Sequence, residues 1–454
     1  MQRVDTLIYA GWIIPVEPAN VIYEHHALAI KDDKIVGIVP SNEAVSHFAP
    51  SIIYRLPGHV LIPGLINTHT HAAMNLLRGY ADDLPLQVWL EDYIWPVEQA
   101  CVDTDFVKDG TKLAIAEMVR GGITCFQDMY FYPDVVGEVA NQAGVRATLG
   151  LLAIDFPTTW ANDIQEYIKK GHSVHQQFTD SPLITTAWAP HAPYTVSDNA
   201  FKLIRRAQDK LDIRMHMHIH ETAQEVNQGI EQQGVRPLTR LHKLGLLDEK
   251  LMAVHMTQLN SSEIELLAER GVHILHCPES NMKLASGVCP VVKLSEAGIN
   301  VALGTDGAAS NDDLDLLGEM RTAALLGKVA NKDASSLPAM QILEMATING
   351  AKALGIAETT GSLVAGKSAD ITAIDLSEIE TQPLYNPLSH LIYAVGRDKV
   401  TDVWVAGKHI LKSRVLTTLD IHTIKAKTRI WRDKILSHKN AQALASKSEE
   451  KSDA

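Results

Sequence analysis

The chain is predicted to be an α/β protein, a closed parallel (β/α)₈ barrel with a small β-sandwich built from both chain ends. Short apolar segments alternate with longer amphipathic ones over roughly 300 residues, as in such a barrel. Strand-like runs lie at both chain ends, and neither end has enough of them to bury a core alone. An open doubly wound sheet is the alternative, but no Gly-x-Gly-x-x-Gly follows the first strand.

The barrel strands are short apolar segments that end in polar residues. They are predicted at 60–71, 123–128, 147–153, 183–191, 213–221, 252–258, 272–281 and 300–306. Helices are predicted between them at 104–120, 198–210 and 261–270, with Asp198 and Ser261 as N-caps. Further strands are predicted at 6–14, 26–30, 34–39, 369–374 and 400–410.

Four segments follow from this reading. Residues 1–58 and 365–430 form the two parts of the β-sandwich, and residues 59–364 form the metal-dependent TIM barrel. Residues 431–454 form a C-terminal helix and a polar tail, which we expect to be partly disordered.

Composition limits the function classes. The net charge of −13 argues against a nucleic-acid or anionic-membrane partner, and no apolar run is long enough to span a bilayer. The cysteines form no Cys-x-x-Cys pair, which is typical of reduced thiols. No charged-then-apolar leader opens the sequence, so we expect a cytoplasmic protein.

Metal-capable side chains stand at most of the predicted strand ends. In a barrel of this type the carboxyl ends of the strands meet at one face, where catalytic groups lie. The residues are His69 and His71 after the first strand, His191 after the fourth, His216, His218, His220 and Glu221 after the fifth, His255 in the sixth, His276 in the seventh and Asp306 after the eighth. Together they predict a metal site.

Three histidines and one aspartate make a suitable zinc set that leaves a position for water. Strand periodicity places His216, His218 and His220 on one face, so geometry alone does not choose among them. Glu221 could serve as a general acid and base, and a bound metal would lower the pKa of a water nucleophile.

Several motifs resemble those of the amidohydrolase superfamily, and most closely its 5-methylthioadenosine/S-adenosylhomocysteine deaminases. They are His-Thr-His from His69, His-Ile-His-Glu-Thr from His218, Ala-Val-His ending at His255, His-Cys-Pro-Glu-Ser-Asn from His276 and Gly-Thr-Asp-Gly from Gly304. The segment from Leu76 to Glu98 is more specific than His-x-His and points to the deaminase branch.

The resemblance implies a role for each matched residue. It implies that one Zn²⁺ per subunit, with Fe²⁺ or Mn²⁺ as alternatives, is held by His69, His71, His218 and Asp306; the family spacing His-x-x-Glu selects His218. It implies that Glu221, His255 and Asp306 are catalytic. It implies that substrate is bound by Glu98, His191, Glu221, Asp306, Trp89, Leu84 and His276.

The implied function is hydrolytic deamination of adenine nucleosides, releasing ammonia and the inosine analogue. The substrates would be 5′-methylthioadenosine, S-adenosylhomocysteine, and adenosine or 5′-deoxyadenosine, and the protein would be a homodimer or homotetramer. Residues 155–160 contain no arginine for a substrate carboxylate, so the preferred 5′-substituent stays open. The alternatives are a guanine deaminase or triazine chlorohydrolase reaction at the same site, and a non-catalytic metal-binding protein.

Overall fold

The computed structural model describes residues 1–452, and its strands form two eight-stranded sheets within that range. The strands are β1 Gln2–Ile13, β2 Tyr23–Lys31, β3 Lys34–Pro40, β4 Phe48–Pro63, β5 Leu65–Thr70, β6 Ile123–Asp128, β7 Arg146–Ala153, β8 Ile184–Pro190, β9 Arg214–Ile219, β10 Leu251–His255, β11 His273–His276, β12 Val301–Leu303, β13 Ile371–Asp375, β14 Val400–Val405, β15 Lys408–Lys412 and β16 Val415–Leu416. The predicted barrel strands are all present, with their ends moved by a few residues.

The barrel consists of β5 to β12, parallel and adjacent in chain order. The seam between its first and last strands is joined by hydrogen bonds outside the strand ladders. Thr68 Oγ1 donates to the carbonyl oxygen of Leu303 at 2.7 Å, and the Asp306 amide donates to the carbonyl oxygen of His69 at 3.0 Å. The predicted barrel is therefore confirmed, and its seam joins the first of the predicted metal-binding motifs to the last.

The sheet of the chain ends has the order β16-β15-β14-β13-β4-β1-β2-β3. Its centre is β4, which pairs in parallel with β1 and antiparallel with β13, so the two ends of the chain do combine. One continuous sheet results, with a buried core around Ile8 and Trp404 and another around Leu7 and Phe48.

Residues 60–63 were predicted to begin the first barrel strand, and they belong to β4 instead. Pro63 and Gly64 divide one long apolar run into two strands, because proline lacks the amide that a strand ladder needs. A Cβ at Gly64 would collide with the side chain of Thr124, so only glycine permits the close crossing from sheet to barrel.

The helices lie between and around the barrel strands. They are α1 Ala44–His47, α2 Leu86–Val88, α3 Trp95–Cys101, α4 Thr104–Arg120, α5 Pro133–Ala143, α6 Ile164–Phe178, α7 Asp198–Leu211, α8 Ala223–Gln233, α9 Pro237–Lys243, α10 Ser261–Arg270, α11 Pro278–Lys283, α12 Val291–Glu296, α13 Ala308–Asn311, α14 Leu316–Asn331, α15 Ala339–Met345, α16 Ile348–Leu354, α17 Pro387–Tyr393 and α18 Ile421–Ser452. A π-helix spans Trp89–Ile94, and 3₁₀ helices span Ala72–Leu77, Ile379–Thr381 and Arg397–Lys399.

Both predicted N-caps were wrong by one residue. The caps are Ser197, which accepts from the Ala200 amide, and Asn260, which accepts from the Glu263 amide in a capping box. Each site offers two consecutive capping residues, and the first of the two keeps the extended backbone that a cap requires.

The C-terminal helix α18 packs against the barrel beside α3 and α4. Its Trp431 donates to Asp109 Oδ2 at 3.0 Å and meets the Phe106 ring edge to face. The predicted C-terminal helix is helical as far as Ser452, and residues 453–454 lie outside the described residues, so partial disorder of the tail stays a prediction. No helix in the described part of the chain is long and apolar enough to cross a membrane.

Candidate active site

The metal-capable side chains from four strand ends meet at one point. His69 and His71 stand at the end of β5, and the Nε2 atoms of both lie 3.2 Å from Asp306 Oδ1, beyond the end of β12. From β9, His218 places its Nε2 atom 3.2 Å from that of His69. The ligand atoms of His69, His218 and the β10 residue His255 lie within 4.8 Å of one another.

The donor atoms of this cluster fit a cation. His71 and His218 each direct Nδ1 at a carbonyl oxygen, that of Met129 and that of His191 respectively. A carbonyl can only accept, so each Nδ1 carries the hydrogen and each Nε2 turns a lone pair toward the cluster. Two such lone pairs beside a carboxylate oxygen form a donor set for zinc.

Electrostatics favour positive charge at the same point. Burial lowers the pKa of His71, but the hydrogen bond and negative charge of Asp306 outweigh it and raise that pKa to about 9, so a positive charge at Nε2, either a proton or a metal ion, is favoured. Burial would raise the pKa of Asp306, yet the adjacent His69 and His71 side chains hold it well below its usual value, so the carboxylate is ionised. Burial also lowers the pKa of His218, which keeps that imidazole neutral.

Neighbouring groups fix the orientation of the cluster. His216 Nε2 lies 3.1 Å from His69 Nδ1, and Ser280 Oγ donates to Asp306 Oδ2 at 2.6 Å. Hydrogen bonds of this kind hold metal ligands in one rotamer and tune their basicity. His216 thus lies behind the cluster, whereas His218 lies in it.

Three non-glycine residues around the cluster have left-handed backbone. The φ angles are +54° at His220, +73° at His255 and +62° at Asp306. Such conformations cost roughly 1–3 kcal/mol each and cluster at functional sites. Glu225 stabilises the first of them, because its two carboxylate oxygens accept from the amides of His220 and Glu221.

Glu221 and His255 form a pair of proton-handling groups beside the cluster. Glu221 Oε2 lies 3.7 Å from His255 Nε2, while Ser286 Oγ donates to Glu221 Oε1 at 3.2 Å. Burial raises the pKa of Glu221 and so favours its protonated form. The amide oxygen Oδ1 of Asn281 lies 2.9 Å from His255 Nδ1, which leaves His255 Nε2 as the basic nitrogen facing Glu221.

A cavity of about 500 Å³ opens from the cluster toward the surface. His71, His218, His255, Glu221 and Asp306 line its inner end, and Trp89, Glu98 and His191 line its walls. These predicted site residues are brought together by the fold.

Leu84 and His276, predicted to bind substrate, are not among the described residues that line the cavity. Leu86, at the start of α2, lines it, while Leu84 is half-buried against the core. His276 ends β11 and is buried, with a pKa lowered to about 3 by burial and by nearby His255. Its buried surroundings, outside the cavity, are those of a core histidine.

Glu98 comes from α3, outside the strand ends that carry the predicted metal ligands, and is buried in the cavity wall. The Tyr130 hydroxyl donates to Glu98 Oε1 at 2.7 Å. Burial raises the pKa of Glu98 to about 7, although this hydrogen bond opposes the rise. Sequence reasoning missed Tyr130, and its place just after the end of β6 was the signal that could have found it.

A (β/α)₈ barrel whose strand ends gather three histidines, an aspartate and a buried glutamate defines a metal-dependent hydrolase. The chain belongs to the amidohydrolase family, whose sequence pattern matches residues 60–410, and within it to the 5-methylthioadenosine/S-adenosylhomocysteine deaminases.

Two curated relatives carry the latter name. The protein of Teredinibacter turnerae is 46% identical over 95% of this chain and 98% of its own length. That of Saccharophagus degradans is 49% identical over 95% of this chain and 97% of its own length.

Two solved structures are similar to this chain. An adenosine deaminase from Xanthomonas campestris, crystallised with bound zinc, is 52% identical and superposes with a TM-score of 0.95 over 96% of this chain and 99% of that chain. A zinc complex of atrazine chlorohydrolase from Arthrobacter aurescens is 23% identical, with a TM-score of 0.88 over 94% of this chain and 100% of that chain, and shows the fold alone.

Proposed function

We propose that this protein is a zinc-dependent hydrolase that deaminates adenine nucleosides, converting 5′-methylthioadenosine and related compounds to the inosine analogue and ammonia. The observation that carries the proposal is the position of Glu221 and His255 beside the convergent metal ligands, in a cavity that also holds buried Glu98. The names of relatives 46% and 49% identical support the same chemistry.

His69, His71, His218 and Asp306 would hold one divalent metal, and we refer to them as the ligand set. Their converging Nε2 atoms and carboxylate support this assignment, as does the zinc in the Xanthomonas structure. When bound, zinc supplies a Lewis acid that brings the pKa of a coordinated water to about 7.

The chain's own residues would then manage the protons. His255 Nε2 and Asp306 would orient the attacking water and take its proton as the oxygen bonds to C6 of the adenine ring. Glu221, whose pKa is raised by burial, would deliver a proton to ring nitrogen N1. The proton taken from the water would pass to the exocyclic nitrogen, so that the bond from C6 to that nitrogen breaks and ammonia leaves. Glu221 would recover its proton from the C6 hydroxyl as the water oxygen becomes a carbonyl.

Glu98 would hold the ribose hydroxyls, and this contact separates nucleosides from free bases. The Tyr130 hydroxyl donates a hydrogen bond to Glu98 Oε1, and this bond orients the carboxylate. We assign His191 and Trp89, which line the same cavity, to contacts with the substrate. The imidazole of His191 is neutral because burial lowers its pKa to about 3.

We also propose that the working unit is a homodimer or homotetramer in the cytoplasm. The buried cysteines Cys101, Cys125, Cys277 and Cys289 are free thiols, which supports a reducing compartment. We further propose two domains, with the barrel beginning near Gly64 and the sheet of the chain ends resuming near residue 365.

A substrate panel tests the proposal. Zinc-loaded protein is assayed for release of ammonia from 5′-methylthioadenosine, adenosine and guanine, and for release of chloride from a chlorotriazine. We expect turnover of the two nucleosides only, and no nucleoside turnover by the zinc-loaded protein would refute the proposal. Glu98→Gln should reduce nucleoside turnover; unchanged nucleoside turnover would remove the ribose role of Glu98.

A further inference from the structure

The exposure of the lining side chains increases from the inner end of the cavity, its floor, to the end that opens at the surface, its mouth. Asp306 at the floor is 5% exposed, Glu98 in the wall is 9% exposed, and Phe156 is 41% exposed. A nucleoside with C6 at the ligand set and its ribose at Glu98 would extend its 5′-substituent toward the exposed end of the cavity, where Phe156 lies. The residues around Phe156 define the 5′ subsite.

Aromatic side chains from two segments form the mouth. Trp95 lies one helical turn before Glu98 on α3, and Phe156 lies on the loop after β7. Their ring centroids are 6.4 Å apart with the planes at 62°, an edge-to-face contact. Leu86, Leu90 and Pro157 complete the apolar lining.

The charged side chains of this lining are carboxylates, apart from its histidines. No lysine or arginine occurs among the described residues that line the cavity. A substrate carboxylate in the 5′ subsite would leave water without gaining a cationic partner.

Two cationic side chains near the cavity already have partners. Lys283, next to the lining residue Leu284, holds the carboxylates of Asp82 and Asp312. Arg240, in an adjoining cavity that shares Phe156 and Tyr194, donates to Asp198 Oδ1 at 2.7 Å and to two backbone carbonyls. Neither is free to receive a substrate carboxylate.

We propose that the 5′ subsite formed around Trp95 and Phe156 selects an uncharged, apolar 5′-substituent. The enzyme would then use 5′-methylthioadenosine and alkylthio analogues in preference to S-adenosylhomocysteine, whose 5′ group ends in an amino-acid zwitterion. This inference rests on the proposed function and names the substrate class that the site prefers.

The test separates charge from length. The value of kcat/KM is measured for zinc-loaded protein with 5′-methylthioadenosine, 5′-butylthioadenosine and S-adenosylhomocysteine. The last two have 5′ chains of similar length, and only one is charged. We expect the butylthio compound to exceed S-adenosylhomocysteine by about tenfold or more, because an unpaired charge is costly to desolvate.

A variant reverses the expected preference. Phe156→Arg places a cation at the mouth and should raise kcat/KM for S-adenosylhomocysteine while lowering it for the butylthio compound. Val329→Arg, on the 76% exposed site of α14, is the matched control and should leave the ratio unchanged.

Each outcome is decisive. Equal or better use of S-adenosylhomocysteine by the unaltered protein would overturn the inference and leave the proposed function standing. Poor use of both long substrates would also overturn it, since length and not charge would then limit the site. If none of the three compounds is deaminated, the proposed function itself is overturned.

Discussion

The floor and the mouth of the cavity are built by different parts of the fold. The floor consists of strand ends, and its side chains are buried and held by hydrogen bonds such as that between His69 and His216. The mouth consists of short helices and a loop, and it carries apolar side chains such as Phe156 that are partly exposed. The reaction is thus determined by the barrel strands and the substrate choice by the segments between them.

The largest expected effect is at the floor. Glu221→Gln keeps the shape of the side chain but removes the carboxyl proton that Glu221 would donate to ring nitrogen N1. The value of kcat/KM for 5′-methylthioadenosine should therefore fall about 10³-fold. Zinc content, measured by atomic emission, should stay near one per chain. Glu231→Gln, exposed on α8, is the control. Retention of more than a tenth of the activity would contradict the proton-carrier role.

The next largest effect is expected at His216, which contacts the proposed metal ligand His69. His216→Ala removes the partner of His69 Nδ1, and zinc affinity should fall by roughly 10–100-fold. Competition with a chromogenic chelator measures it, with exposed His422→Ala for comparison. Unchanged affinity would mean that His216 merely fills the core.

A smaller effect on activity is expected from a change in the cavity wall, between the floor and the mouth. Tyr130→Phe removes the hydrogen bond to Glu98, and KM for nucleosides should rise by about three- to tenfold with a smaller change in kcat. This bond opposes the rise of the Glu98 pKa that burial causes, so its loss raises that pKa further. The acid-side increase in KM should therefore begin at higher pH. An unmoved pH profile would argue against the orienting role; exposed Tyr385→Phe is the control.

The smallest effect lies outside the cavity. Ser197→Ala removes the N-cap of α7 and should lower the free energy of unfolding by about 1 kcal/mol, with kcat/KM unchanged. Denaturant titration measures it beside Ser173→Ala, an exposed serine inside α6. Equal stability of the two variants would mean that the cap contributes nothing.

The floor could be predicted from the sequence because its residues follow a rule. Buried parallel strands appear as continuous apolar runs, and the residues after each run converge at one face. His69, His71 and Asp306 were found in this way, although Asp306 lies more than two hundred residues from the others. Strand β4 was missed because its first part is exposed, with Ile52 51% and Ile53 45% accessible, and shows no buried run.

The wall and the supporting contacts could not be predicted from the residues alone. Which of His216 and His218 enters the cluster depends on the distance of each ring from β5, and no local pattern encodes it. Leu84 and Leu86 are two positions apart, and only the start of α2 decides which of them lines the cavity. His276 also stands at a strand end and still lies outside the cavity lining. The position of a residue at a strand end indicates the face of the barrel where it lies, but not whether its side chain reaches the cavity.

In the proposed reaction, the ligand set and Glu221 replace the amino group at C6 with a water oxygen. Zinc-loaded protein is incubated with 5′-methylthioadenosine in ¹⁸O-labelled water, and the products are analysed by mass spectrometry. We expect 5′-methylthioinosine carrying one ¹⁸O on the purine ring and an equal amount of ammonia. An unchanged substrate, or cleavage at the ribose with an intact adenine, would contradict it.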